Sequence, residues 1–159
     1  MATIIKGISA KDKNAIETIL RSTDFFYEFE IDIALEMAAA TIANEEAKSD
    51  YTLMKIVDND ELVAFAMYGK NDFSLHSWEL YWIAVHDNSR NKKFGAKLLK
   101  AVEEDVKNAG GKILWIETSG RPLYMPTEEF YKHNGYTLQA SLIDFYATGD
   151  PKQIYAKAL

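Results

Sequence analysis

Apolar positions along the chain recur with two periods, and the period changes mark the elements. Residues 3–8 form a short β-branched run, and residues 11–22 place Ile16, Ile19 and Leu20 at helical spacing, with Ser9 as the expected N-cap. Residues 25–44 predict a second helix, rich in alanine after Ile33. Residues 51–57 and 62–68 predict strands, and the acidic turn Asp58-Asn59-Asp60-Glu61 joins them as a hairpin. Residues 78–85 are nearly continuous in apolar character, the pattern of a strand buried on both faces. A long amphipathic helix follows over 91–108, with Leu98, Leu99, Val102, Val106 and Ala109 on one stripe and Gly110-Gly111 closing it. Residues 112–118 predict another buried strand. Pro126 then suits the first turn of a short helix that Gly135 stops, and residues 136–143 and 153–158 predict two final strands.

The resulting order, β-α-α-β-β-β-α-β-α-β-β, implies an α+β or mixed-sheet architecture rather than a doubly wound one. A length of 159 residues without internal repeat predicts one domain over 1–159. The chain is 48% hydrophobic, enough for a core, and its 26% charged residues are mixed in sign. A net charge of -6 argues against a nucleic-acid partner. With no cysteine, disulfides, thiol nucleophiles and thiolate metal sites are excluded, which fits a cytoplasmic protein. His76, His86 and His133 lack metal-ligand spacing, so no metal is expected and the three read as surface residues. The first residues lack the apolar run of a signal peptide, and no stretch is long enough to span a bilayer, so no membrane partner is expected.

One segment departs from the acidic background. Between Arg90 and Lys100 stand five cations and no acid, at the start of the long helix, while Glu103, Glu104 and Asp105 come later. Positive charge in the first turns opposes the helix dipole. The order costs stability unless an anion resides there, and free N–H groups beside lysines suit a phosphate. A solvated basic turn is the plain alternative for the charges alone.

The register Arg90-x-x-Lys93-x-Gly95-Ala96, five residues after the strand ending at Val85, resembles the pyrophosphate loop of the GNAT acetyltransferases, Gln/Arg-x-x-Gly-x-Gly/Ala. Lys93 stands where that family's first glycine is usual, which would weaken phosphate contact if glycine geometry is needed there. Two later segments are similar to the family's further motifs: Ile116-Glu-Thr-Ser119 at a strand end, and Phe130-Tyr131-Lys-His-Asn-Gly135-Tyr136 on a short helix. The resemblance covers roughly 78–136. It implies the GNAT fold: a mostly antiparallel twisted sheet of about seven strands, splayed between the fourth and fifth and flanked by about four helices. It also implies acetyl-CoA as co-substrate. The pantetheine arm would bond to backbone at Ile83, Ala84 and Val85. The pyrophosphate would lie on Arg90 and the N–H groups of Asn91, Lys92, Lys93, Phe94, Gly95 and Ala96. Thr118, Tyr124 and Tyr131 would add contacts.

Acetyl transfer to an amine needs a neutral nucleophile and a proton for the departing thiolate. Glu79, six residues before Val85 and on one strand face with Tyr81 and Ile83, is the base candidate, with a solvent-facing strand-end acid as the alternative. Glu117 is the second candidate, against a partly buried acid paired with a lysine, and a water relay is the third. The resemblance makes Tyr131 the acid toward the CoA sulfur, against a core-packing ring. Phe25-Phe26-Tyr27-Glu28-Phe29-Glu30 would be mostly core with an acidic edge. The acceptor would be a small-molecule or peptide amine, and a homodimer stays open. A non-catalytic acyl-CoA sensor of the same fold is the competing reading, and a tRNA-modifying toxin fits poorly with the net charge.

Overall fold

The computed structural model describes residues 1–43 and 51–159. Its elements are β1 (Ala2–Lys6), α1 (Asp12–Ser22), α2 (Glu28–Ala43), β2 (Thr52–Asp58), β3 (Glu61–Lys70), β4 (Ser77–Val85), α3 (Phe94–Asn108), β5 (Ile113–Ser119), α4 (Met125–His133), β6 (Thr137–Ala147) and β7 (Asp150–Ala158). The order matches the sequence expectation. Asn44, the last residue expected in the second helix, lies outside the described residues. The seven strands are ordered β1-β2-β3-β4-β5-β7-β6, in a mixed sheet with β4 and β5 parallel. None of the described helices is long and apolar enough to cross a membrane.

The chain packs as two compact units, Met1–Gly69 with Trp82–Asp105, and Lys70–Tyr81 with Val106–Leu159. In the first, Ile16, Ile19 and Leu20 of α1 and Ile31, Ala34 and Ala38 of α2 bury against Leu53, Phe65 and Met67. Asn59 and Asp60 both have positive φ, 53° and 66°, the backbone of a type I′ turn that matches strand twist in the β2–β3 hairpin. Asp12 and Lys55 form a buried ion pair at 2.6 Å. Breaking one side of such a pair costs about 3–5 kcal/mol, because the other charge is stranded.

In the second unit, β7 pairs antiparallel with both β5 and β6. Tyr131 of α4 packs between Tyr136 and Tyr155, at ring-centroid distances of 6.0 and 6.2 Å. Gly110 turns the chain after α3 at φ +90°, and Gly111 answers a different need. A Cβ on Gly111 would meet the Trp78 ring at 2.6 Å and run into Val106.

Several local expectations fail for physical reasons. Ser9 does not cap α1 by accepting a bond: its N–H and hydroxyl both donate to the Asp12 carboxylate, at 2.7 and 2.9 Å, and Lys11 holds the cap position. α3 begins at Phe94, not at 91. β4 is mostly half-buried instead of buried on both faces, and Tyr81 is exposed. β5 alternates, with Leu114, Ile116 and Thr118 buried and Glu117 exposed. Tyr27 and Phe29 are not core: they stack on each other at 5.7 Å and are exposed, while Phe26 packs edge-on to Trp82.

Candidate active site

Within the first unit, β4 leads to a 3-10 turn over Asp87–Ser89, whose Asn88 N–H donates to His86 Nδ1 at 3.1 Å. His86 is thus half-buried and structural, while His76 and His133 are exposed. Asn91 and Lys93 then adopt positive φ, 65° and 60°, and Lys92 between them does not. Alternation of this kind turns successive N–H groups toward a common concavity, the backbone form of an anion site. Phe94, Gly95 and Ala96 open α3, where N–H groups have no partner within a helix. Lys93 therefore occupies the left-handed conformation that glycine would supply, at about 1–2 kcal/mol of backbone cost.

The cations divide. Arg90 pairs with Asp87 at 3.1 Å and lies over the Phe25 ring, and Lys92 reaches Asp58 at 3.4 Å. Lys93, Lys97 and Lys100 form no ion pair among the described residues. Three exposed cations are thus left on the loop and the first two turns of α3. Ile83 and Val85 are half-buried and Ala84 is buried, on the stretch of β4 beyond its ladder with β5, which runs only from Ser77↔Ile113 to Leu80↔Ile116.

The second unit holds the acid and base candidates. Glu79 accepts from the Tyr81 hydroxyl at 3.0 Å and from Asn71 Nδ2 at 3.4 Å. It lines a pocket of about 220 Å³ with Leu80, Tyr81, Trp115, Glu117 and Tyr146. A neighbouring recess of about 320 Å³ shares Glu79, Trp115 and Glu117 and adds Asn71, Ser74 and Ser77. The two form one groove. Glu117 is more exposed than expected, yet it does hold a lysine, with Lys152 Nζ at 2.7 Å. Trp115 is fixed by its own Nε1–H, which donates to Ser77 Oγ at 3.1 Å.

Tyr131 is 5% exposed, and burial pushes its hydroxyl well above the usual tyrosine range, with Tyr124 adding to the effect. Tyr124 is buried beneath the Arg121 guanidinium, 5.1 Å from its ring, and Thr118 is buried on β5. Among the expected residues, Glu79 and Glu117 are brought together in the groove and Tyr131 with Tyr124. Lys152 and Tyr146 were not anticipated. Lys152 meets Glu117 only through the β5–β7 register, which sets Ser119 opposite Lys152 and Glu117 opposite Ile154, and no local pattern carries that signal.

The sequence profile of the acetyltransferase (GNAT) family matches residues 15–136. The chain belongs to the GNAT acetyltransferase family. Among solved GNAT-related structures, a protein from Desulfovibrio desulfuricans assigned to the family is 31% identical, with 99% of each chain covered and a TM-score of 0.95. An aminoglycoside 6'-N-acetyltransferase complexed with coenzyme A is 20% identical over 99% of this chain and 96% of its own, at a TM-score of 0.75. The ribosomal-protein-S18-alanine N-acetyltransferase of Escherichia coli is 18% identical over 99% and 94%, at 0.76. These last two share the GNAT fold with this chain. A search of curated protein sequences gives no match.

Proposed function

We propose that this protein transfers the acetyl group of acetyl-CoA to a primary amine by direct attack in a ternary complex, with residues 1–159 acting as one catalytic domain. The observation that carries the reading is the backbone at Asn91 and Lys93. A lysine held in the conformation of the family's glycine keeps the N–H array that a pyrophosphate requires. Lys93 and Lys97, which form no ion pair among the described residues, supply the countercharge, Arg90 lies beside them paired with Asp87, and the N–H groups of 91–96 supply the directed bonds. Coenzyme A in the aminoglycoside acetyltransferase structure supports the same ligand here.

The amine reaches the protein protonated, since alkyl ammonium groups titrate near 10.4. Glu79 takes one proton from the ammonium, and the nitrogen lone pair attacks the thioester carbonyl carbon. As the C–S bond breaks the nitrogen releases its second proton to water, from which the Tyr131 hydroxyl is restored after protonating the sulfur. A backbone N–H near Ile83 donates to the developing oxyanion. The Tyr131 hydroxyl donates to the leaving sulfur. Its burial keeps it protonated, and the same low-dielectric surroundings raise the basicity of a thiolate brought beside it. Glu79 is favoured over Glu117 because Lys152 already occupies the second carboxylate.

Acetyl-CoA at a hundred times its Kd should stabilise the fold by about 2.7 kcal/mol and raise Tm accordingly. Absence of a shift at millimolar ligand sinks the reading. Thiol release over a panel of amines then separates the enzyme from a sensor of the same fold: ligand binding without release on any amine favours the sensor.

A further inference from the structure

The groove is lined by two carboxylates, Glu79 and Glu117, and one cation, Lys152, stands behind the second of them as its ion-pair partner. The Lys152 side chain is only 14% exposed, and its Nζ lies 2.7 Å from Glu117 Oε2 and 3.8 Å from the centroid of the Phe145 ring. A carboxylate on one side and an aromatic face on the other hold the ammonium in place. β7 fixes it further, since Lys152 stands opposite Ser119, two residues from Glu117 on the same face of β5. The remaining polar groups of the groove, Asn71, Ser74, Ser77 and the hydroxyls of Tyr81 and Tyr146, carry no charge. Two acids and one base leave a formal charge of -1.

We propose that Lys152 is a specificity-determining residue, tuning the groove to acceptors whose only positive charge is the reacting ammonium. The inference rests on the amine-acetyltransfer reading above. The reacting ammonium meets Glu79. A second ammonium further along the same molecule meets a carboxylate that is already compensated, beside a fixed like charge, which is a repulsive element against diamines. The aromatic walls of Trp115, Tyr81 and Tyr146 instead favour an uncharged aliphatic or aromatic body.

The test uses the full chain with coenzyme A present. Butylamine and 1,4-diaminobutane are titrated by calorimetry at low salt into wild type, Lys152→Met, Lys152→Arg and Glu117→Gln. The wild type should bind butylamine at least as tightly as the diamine. Lys152→Met should move the affinity ratio roughly fivefold toward the diamine, the factor a half-exposed charge pair supplies. Lys152→Arg should restore the wild-type ratio, and Glu117→Gln, which leaves the lysine uncompensated, should move it roughly fivefold the other way. An unchanged ratio in both Lys152→Met and Glu117→Gln overturns the proposal, as does a wild type that binds neither amine. Either failure leaves the acetyl-CoA thermal shift intact. A missing acetyl-CoA shift strikes the proposed function instead.

Discussion

The loop that opens α3 and the groove beside Glu79 carry opposite charges, and they are built differently. In the loop the polar groups are mainly backbone: two left-handed residues and a helix start present N–H groups, and the lysines beside them are exposed. In the groove they are side chains whose positions are set by strand register, with each carboxylate given a named partner at 3.0 or 2.7 Å. Substitution should therefore be felt differently. A side-chain change in the loop should shift cofactor affinity by increments, whereas one at Glu79 should act on turnover.

The largest effects should come from the second unit. Glu79→Gln removes the proton acceptor and should lower turnover about a hundredfold, the lower end for a positioned acid or base. An unaltered rate would assign the proton to a water relay. Tyr131→Phe should cost a similar factor of about a hundred in turnover while acetyl-CoA affinity moves little. An unchanged turnover would mean the ring, not the hydroxyl, is what matters. The same variant has a stability signature. A hydroxyl whose folded-state value is raised contributes stability that is fully present below the ordinary tyrosine value near 10 and is lost as pH rises through the raised value. Tyr131→Phe should flatten the alkaline limb of Tm above about pH 10, as scanning calorimetry would read.

Loop variants should act on the cofactor alone. Lys93→Glu places an acid beside the N–H array and should weaken acetyl-CoA by roughly tenfold, less at high salt, with turnover at saturation preserved. The smallest change is also the most informative. Lys93→Gly should stabilise the ligand-free protein by about 1 kcal/mol by relieving the left-handed backbone. If acetyl-CoA binds as before, the backbone does the work; if it binds several-fold worse, the ammonium does.

Element order was legible in the sequence because several period changes coincided with a glycine, a proline or an acidic turn, as at Asp58–Glu61 and Gly110. The loop's register was legible through Arg90, Gly95 and Ala96. Its handedness was not, because lysine has no preference for positive φ, and only the surrounding chain imposes it at residue 93. Burial on β4 was over-read, since an apolar run cannot say which of its side chains a second layer covers. Tyr27 and Phe29 misled for the same reason: stacking on each other satisfies two rings without a core. Asp12 shows a subtler limit. Burial alone would push its carboxyl up, yet the bonds from Lys55 and from the Ser9 N–H and hydroxyl outweigh that and hold it below the usual range. The Lys55 partner is remote in sequence. Glu117 and Lys152 are joined in the same way, by pairing between strands that no local window contains.

β4 carries one further implication, for insertions and deletions. Its side chains alternate faces with a period of two, so adding or removing a single residue ahead of Glu79 would exchange the faces of Glu79 and Tyr81 together. Point substitution can be graded along this strand, but a change in its length cannot. Natural variation in chain length should therefore collect in the 71–76 connection before it and stay out of the strand itself.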